Sequence, residues 1–183
     1  MELSAMPYRK VHSKKEVRAL YRSAFVQEER LPFFLLSVSS CLRGVGMECY
    51  FDADRLIGFT HRTRCGSLLF IMFFAVEQSV RGMGYGSAIL SYLKEQERDA
   101  TIVLNVEPVD VQAANYEERV RRMRFYEKNG FFDTGYEIDE VGGTFTVLST
   151  DPHLDAAAYQ RVFGHLSFGL WRPRIAPRQK GEA

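Results

Sequence analysis

An unbroken apolar run from Leu68 to Val76, LLFIMFFAV, leads through the polar step Glu77 to Val80 into a glycine-dense turn, Arg81-Gly82-Met83-Gly84-Tyr85-Gly86. The run is far shorter than the ~18 apolar residues of a membrane span. Its phenylalanines, Ile71 and Val76 suit a strand covered on both faces. Beyond the turn, Ala88, Ile89, Tyr92, Leu93 and Gln96 recur at helical spacing, so the turn opens a helix.

Strand, glycine turn and helix together form a geometry for holding an anion. The first amides of a helix have no partner inside it. They point outward, and the helix dipole adds partial positive charge there. Glycine allows unusual dihedrals and lets a phosphate come close to the backbone. A pyrophosphate fits such a turn. Two common phosphate loops do not match. A Walker loop needs Gly-Lys-Ser/Thr, and Gly86 is followed by Ser87 and Ala88. A dinucleotide fingerprint needs a third glycine where this chain has Ser87, and it lies closer to its strand.

Arg81-x-x-Gly84-x-Gly86 resembles the Arg/Gln-x-x-Gly-x-Gly/Ala signature of the GCN5-related N-acetyltransferase (GNAT) superfamily. The flanking strand and helix resemble that family as well. The resemblance implies that the loop amides, over Arg81, Gly82, Met83, Gly84, Tyr85, Gly86 and Ser87, bind the pyrophosphate of acetyl-CoA. It also implies that main-chain groups at Phe74, Ala75 and Val76 pair with the pantetheine arm and polarise the thioester, where the family's strand splays from its neighbour. The alternative is a glycine turn that only tightens a strand–helix junction.

The rest of the chain supplies the setting. Its 183 residues suit one domain, and a hydrophobic share of 46% is enough for a sizeable core. A net charge of +1 gives no global pull toward nucleic acid. Cys41, Cys49 and Cys65 are odd in number and form no C-x-x-C pair, so neither a disulfide framework nor a zinc site is expected. Residues 1–15 show no apolar signal core, and a reduced, cytoplasmic protein is the expectation.

In chain order, residues 1–10 read as a short first strand, and Ser13 as the cap of a helix from Lys14 to Phe25. Pro32 opens a second helix, Phe33 to Leu42. Met47 to Phe51 and Leu56 to His61 read as strands joined by a turn at Asp52 to Arg55. Thr101 to Glu107 is a further strand, read as parallel to the long one. Tyr116 to Lys128 is an arginine-rich helix stopped at Asn129-Gly130. Phe131 to Ile138 and Thr144 to Leu148 form a final hairpin, and His153 to His165 a further helix. The expected class is therefore α+β (α/β mixed), a GNAT-like βααβββαβαββ order. It would have a mostly antiparallel mixed sheet, helices on both faces and an extra C-terminal helix. A single acetyltransferase domain over 1–170 is expected, followed by a disordered tail over 171–183.

Acetyl transfer to an amine needs a neutral amine, a polarised thioester and a proton for the leaving thiolate. Arg124-Phe125-Tyr126-Glu127-Lys128-Asn129-Gly130-Phe131 resembles the family's F/L-Y-x-K-x-G-F stretch. The resemblance makes Tyr126 the acid that protonates the thiolate; the other reading is that its ring only packs. Glu107, at the end of its strand, is the candidate base, against the reading of a solvated carboxylate before Pro108. Glu28 and Glu29 are weaker candidates, for the base or for holding a cationic amine. Arg119, Arg122 and Tyr126 share one helix face. That face would meet cofactor phosphates, an acidic acceptor, or only its own glutamates. Many family members have Asn and Ala where this chain has Arg119 and Arg122, so a carried-over asparagine contact does not follow. His61 could reach the site from its strand, although a lone histidine is more often structural.

The expectation is thus an acetyl-CoA-dependent N-acetyltransferase acting on a primary amine of a small molecule, with no metal and no membrane partner. Two rivals stand beside it. One is a protein or RNA acetyltransferase that docks through the arginine-rich helix. The other is a CoA-binding sensor without turnover. Phe163, Leu166, Phe168, Leu170 and Trp171 would cover the core or a second subunit of a homodimer.

Overall fold

The segments that read as elements in the sequence form them in the order expected. The computed structural model describes residues 2–27, 30–140, 143–167 and 171–178. The strands are β1 (Leu3–Pro7), β2 (Val45–Asp52), β3 (Arg55–Cys65), β4 (Leu68–Val76), β5 (Thr101–Val106), β6 (Phe132–Glu140), β7 (Gly143–Ser149) and β8 (Ile175–Pro177). The helices are α1 (Lys14–Ala24), α2 (Phe33–Ser39), α3 (Tyr85–Gln96), α4 (Tyr116–Lys128) and α5 (Ala156–Leu166). The class is mixed α+β, with the sheet pairings predominantly antiparallel.

The chain divides into two compact units. The first holds the residues up to Arg64 together with Ile71–Ala100; the second holds Cys65–Phe70 and the chain from Thr101 onward. In the first unit the strand order is β1-β2-β3-β4. β1 and β3 flank β2 antiparallel, with Ala5 opposite Tyr50 and Met47 opposite His61. Gly58 sits where this sheet is tightest. A Cβ there would lie 2.7 Å from the Ala75 carbonyl oxygen and 3.0 Å from Ile89 Cδ1, so only glycine lets β4 and α3 close over β3.

The core of this unit is aromatic. Tyr21 of α1 has ring centroids 5.5 Å from Phe25, 5.5 Å from Phe33, 6.2 Å from Phe59 and 5.2 Å from Phe73. Such pairs add about 0.5–1.5 kcal/mol each beyond the area they bury. The Tyr21 hydroxyl donates to the Leu31 carbonyl at 3.0 Å, so its polar tip is satisfied. α2 is shorter than expected, ending at Ser39 rather than Leu42. The Ser39 and Ser40 hydroxyls turn back onto the Leu36 carbonyl at 3.1 and 2.7 Å, competing with the helix for that acceptor. Pro32 lies just outside α2, at its N-cap.

In the second unit the order is β5-β7-β6-β8. β7 pairs antiparallel with both β5 and β6, and β8 with β6. α5 begins at Ala156, three residues later than expected. An Asx turn from the Asp151 carboxylate to His153 N–H (2.8 Å) uses the preceding residues, and Asp155 caps the helix through Ala158 N–H at 2.9 Å. Phe163 of α5 is fully buried against Phe70, Tyr159 and Trp171, with centroids 5.1–5.2 Å away. Phe168 and Leu170 lie outside the described residues.

The expected unstructured tail differs at residues 175–177, which form β8. Ile175 pairs with Ile138, and Arg178 holds Asp133 at 2.7 Å and Glu137 at 3.2 Å. An apolar residue and a basic one at matching register on an acidic strand explain why this stretch pairs.

Candidate functional site

In the first unit, β4 ends at Val76 and the chain makes a single 3-10 turn over Gln78–Val80. Glu77 caps this turn: its carboxylate accepts from Ser79 N–H at 2.8 Å and from the Ser79 hydroxyl. Those bonds hold the Glu77 carboxyl below its ordinary range. Its own N–H donates to the Ile57 carbonyl at 2.9 Å, which fixes the exit from β4 against β3. Arg81, the first residue of the motif, donates from Nε to the Val76 carbonyl at 3.1 Å. This arginine therefore ties the loop to the strand end.

The loop then turns through Gly82 and Gly84, with φ of +80° and +90°. A Cβ at either position would meet nothing within 4 Å, so the need for glycine here is one of backbone conformation, not of space. Gly84 is the N-cap of α3 and has no side chain to satisfy the amides that follow. The Gly84 carbonyl accepts from Ala88 N–H at 3.0 Å, the first full turn of the helix. The amides of Tyr85, Gly86 and Ser87 precede any carbonyl four residues back within α3, so they are donors for an anion. Met83 is 66% exposed and Gly82 and Gly84 are open to solvent. Tyr85 anchors the far side: its hydroxyl donates to Asp52 at the end of β2, which lowers the Asp52 carboxyl and raises the phenol. Phe74 and Val76 are half-buried, and Ala75 is buried.

His61 is not presented to solvent. It is 1% exposed, its Nε2 lies 3.1 Å from the Ser39 hydroxyl, and burial pushes its imidazole down to about 4. Glu28 and Glu29 lie outside the described residues.

In the second unit, Glu107 follows the last residue of β5. Its two carboxylate oxygens meet Arg119 Nη2 at 2.8 Å and Arg122 Nη1 at 2.6 Å, and Asn115 Nδ2 lies 3.3 Å away. Partial burial raises this carboxyl, but the hydrogen bonds from Arg122 and Asn115 and the two positive charges outweigh it, and the net shift is downward. A carboxylate held in its charged form by two guanidinium groups is a weak proton acceptor. Arg119 also donates to Asn115 Oδ1 at 2.7 Å and to the Pro108 carbonyl at 3.0 Å. Arg122 also meets Glu118 at 3.1 Å. Of the readings open for this helix face, the ion-paired one describes Arg119 and Arg122. Arg121 and Arg124 are exposed.

Tyr126 is 8% exposed, with Phe125 and Phe131 rings 5.1 and 5.6 Å away. Burial pushes its phenol up to about 12, against a lowering by the Arg122 charge. It therefore stays protonated across the physiological range. A polar chain unforeseen from the sequence lies in the same unit. The Tyr159 hydroxyl donates to Asn105 Oδ1 at 2.7 Å, and Asn105 Nδ2 donates to Glu140 Oε1. Asn105, a polar residue inside the otherwise apolar stretch 102–106, was the visible sign of it.

Residues 46–132 match the family model described as an acetyltransferase (GNAT) domain. Over these residues, a little under half of the chain, it is similar to the GNAT acetyltransferases. This match, together with the acetyltransferase structures below, supports an acetyl-CoA-dependent N-acetyltransferase. Solved structures are similar in fold. A Bacteroides thetaiotaomicron protein assigned to the GNAT family has a TM-score of 0.70 and 24% identity, covering 93% of this chain and 100% of its own. An aminoglycoside 6'-N-acetyltransferase in complex with coenzyme A has a TM-score of 0.63 and 20% identity, over 85% of this chain and 100% of its own. The ribosomal-protein-S18-alanine N-acetyltransferase of Escherichia coli has a TM-score of 0.62 and 12% identity, over 84% and 96%. Comparison with curated proteins finds no match. Among the described residues no helix is long and apolar enough to cross a membrane, and no group of three or more His, Cys, Asp or Glu is placed to hold a metal ion.

Proposed function

We propose that residues 1–170 act as one catalytic domain that transfers the acetyl group of acetyl-CoA directly to the primary amine of a small molecule in the cytoplasm. The observation that carries the cosubstrate assignment is the turn at Gly82 and Gly84, both at positive φ, opening α3 with first-turn amides that have no partner within the helix. In this reading the amides of residues 82–87 take the pyrophosphate, and Arg81 holds the loop in place for it. The main chain from Phe74 to Val76 takes the pantetheine arm. The fold-level likeness to an enzyme complexed with coenzyme A supports the same ligand.

Tyr126 is the acid in this proposal. A phenol at about 12 does not give up its proton to a thiolate unaided. It donates a hydrogen bond to the departing sulfur and passes the proton as it receives another from the attacking amine. Glu107, committed to Arg119 and Arg122, anchors α4 to the end of β5 and leaves the proton of the amine to another acceptor.

Thermal unfolding with and without acetyl-CoA tests the reading, with NADH and ATP as controls. A ligand at about a hundred times its dissociation constant adds ~2.7 kcal/mol to the native state and raises the midpoint by several degrees. A shift with acetyl-CoA alone supports it, and thiol release over a panel of amines then identifies the acceptor. No shift with any CoA species overturns it.

A further inference from the structure

Amine acetylation near neutral pH needs a group that takes a proton from an ammonium, and Glu107 is poorly suited to it. We propose that Glu140 is the proton acceptor of the reaction, with Asn105 and Tyr159 as the residues that position its carboxylate. This rests on the acetyltransferase reading above.

The argument starts from how Glu140 is held. It is the last residue of β6, partly buried, and opposite Gly143 of β7. Its Oε1 accepts from Asn105 Nδ2 of β5. Asn105 cannot rotate away, because its Oδ1 accepts from the Tyr159 hydroxyl of α5 at 2.7 Å and Tyr159 is fully buried. Among the described residues no cation is paired with Glu140. The groups facing it are the Asn105 amide and, beyond that, the Tyr159 phenol.

This is the reverse of Glu107. A carboxylate that serves only to bind helices gains most from arginine partners, as Glu107 shows. A carboxylate fixed by neutral donors in a partly dry site is costly to keep charged, and so releases and accepts a proton readily. Burial accordingly pushes its carboxyl up to about 7, with the Asn105 bond acting the other way. Asn105 lies one residue from the C-terminal end of β5. β5 leads directly into the loop and helix that carry Tyr126.

The protons then balance. The ammonium gives one proton to Glu140. The neutral amine attacks the thioester carbonyl carbon, a C–N bond forms and the C–S bond breaks. The thiolate takes the Tyr126 proton, and the second nitrogen proton restores the phenol. Glu140 returns its proton to solvent.

The test is the pH–rate profile of Glu140→Gln beside the wild type, with acetyl-CoA binding followed by thermal shift. The expected result is an acidic limb near pH 7 in the wild type and its loss in E140Q. The rate at pH 8 should fall about 100-fold, the acetyl-CoA shift should be unchanged, and E140D should recover part of the rate. A wild-type profile in E140Q overturns the proposal while leaving the acetyltransferase reading intact. A wild type that neither binds nor uses acetyl-CoA overturns the reading itself. Should E140Q not fold, Asn105→Ala replaces it. Losing the donor moves the acidic limb to higher pH, and an unmoved limb overturns the proposal.

Discussion

Arg122 Nη1 lies 2.6 Å from one oxygen of Glu107, which makes the residue after β5 the anchor of α4. The other oxygen is taken by Arg119 at 2.8 Å. Both partners are more than half-shielded, so the pair is worth more than a surface ion pair but less than a deeply buried one. Arg122→Ala should destabilise the protein by about 1–2 kcal/mol, read as a lower urea midpoint with an unchanged slope. The sign of the pH effect follows from the lowered Glu107 carboxyl. Its stabilisation is present above the unfolded carboxyl value of ~4.3 and is lost as pH falls through the folded one. Glu107→Gln should therefore flatten the acid side of the stability curve, and an unchanged acid limb would count against the anchor.

Two glycines should respond in opposite ways to alanine. At Gly58 a Cβ would meet the Ala75 carbonyl oxygen at 2.7 Å, so G58A should cost at least about 2 kcal/mol of stability through forced movement of β3 or β4. At Gly84 the Cβ meets nothing, but φ is +90°, and the cost is the ~1–2 kcal/mol of a left-handed non-glycine residue. G84A should nonetheless be the more damaging to acetyl-CoA affinity, because it redirects the first amides of α3. Urea unfolding and isothermal titration on both variants check the crossing; the same rank order in both measurements would argue against the loop's role.

Much of this was legible in the residues. β4 and α4 have the bounds read from LLFIMFFAV and from the helix stop at Asn129-Gly130, because apolar runs and helix terminators are local signals. The glycine turn was legible for the same reason. Partnerships were not. That Glu107 would be taken by Arg119 and Arg122, 15 positions away in the case of Arg122, or that Glu140 would meet Asn105, 35 positions away, depends on the fold bringing them together. The pairing of β8 was hidden likewise: Ile175 and Arg178 look like a basic tail until Ile138 and Asp133 are beside them.

Tyr126→Phe removes one hydroxyl and keeps the ring contacts with Phe125 and Phe131. Stability should change by no more than about 0.5 kcal/mol. If Tyr126 is the acid, kcat should fall by about 100-fold with little change in KM for acetyl-CoA, since the lost interaction forms only as the thiolate departs. A phenol raised to about 12 adds no alkaline limb to the wild-type profile within the working range. Full activity in the phenylalanine variant would remove Tyr126 from the mechanism.

His61 makes a prediction about stability alone. It is 1% exposed, with the Ser39 hydroxyl 3.1 Å from Nε2 and the Phe73 ring 6.4 Å away, and burial lowers its imidazole from 6.5 to about 4. The unfolded chain therefore binds a proton between these values that the folded chain refuses. Stability is full above pH 6.5 and declines as pH falls toward 4, by up to about 3 kcal/mol on the conversion of 1.36 kcal/mol per unit. Urea unfolding at pH 7.5 and pH 5 should show this loss in the wild type and a smaller one in His61→Gln, which cannot take up the proton. The variant should be less stable than the wild type at pH 7.5, because the ring it replaces packs on Phe73. Equal losses in the two proteins would mean that His61 is protonated in the folded state, and that the pocket beneath α2 admits water.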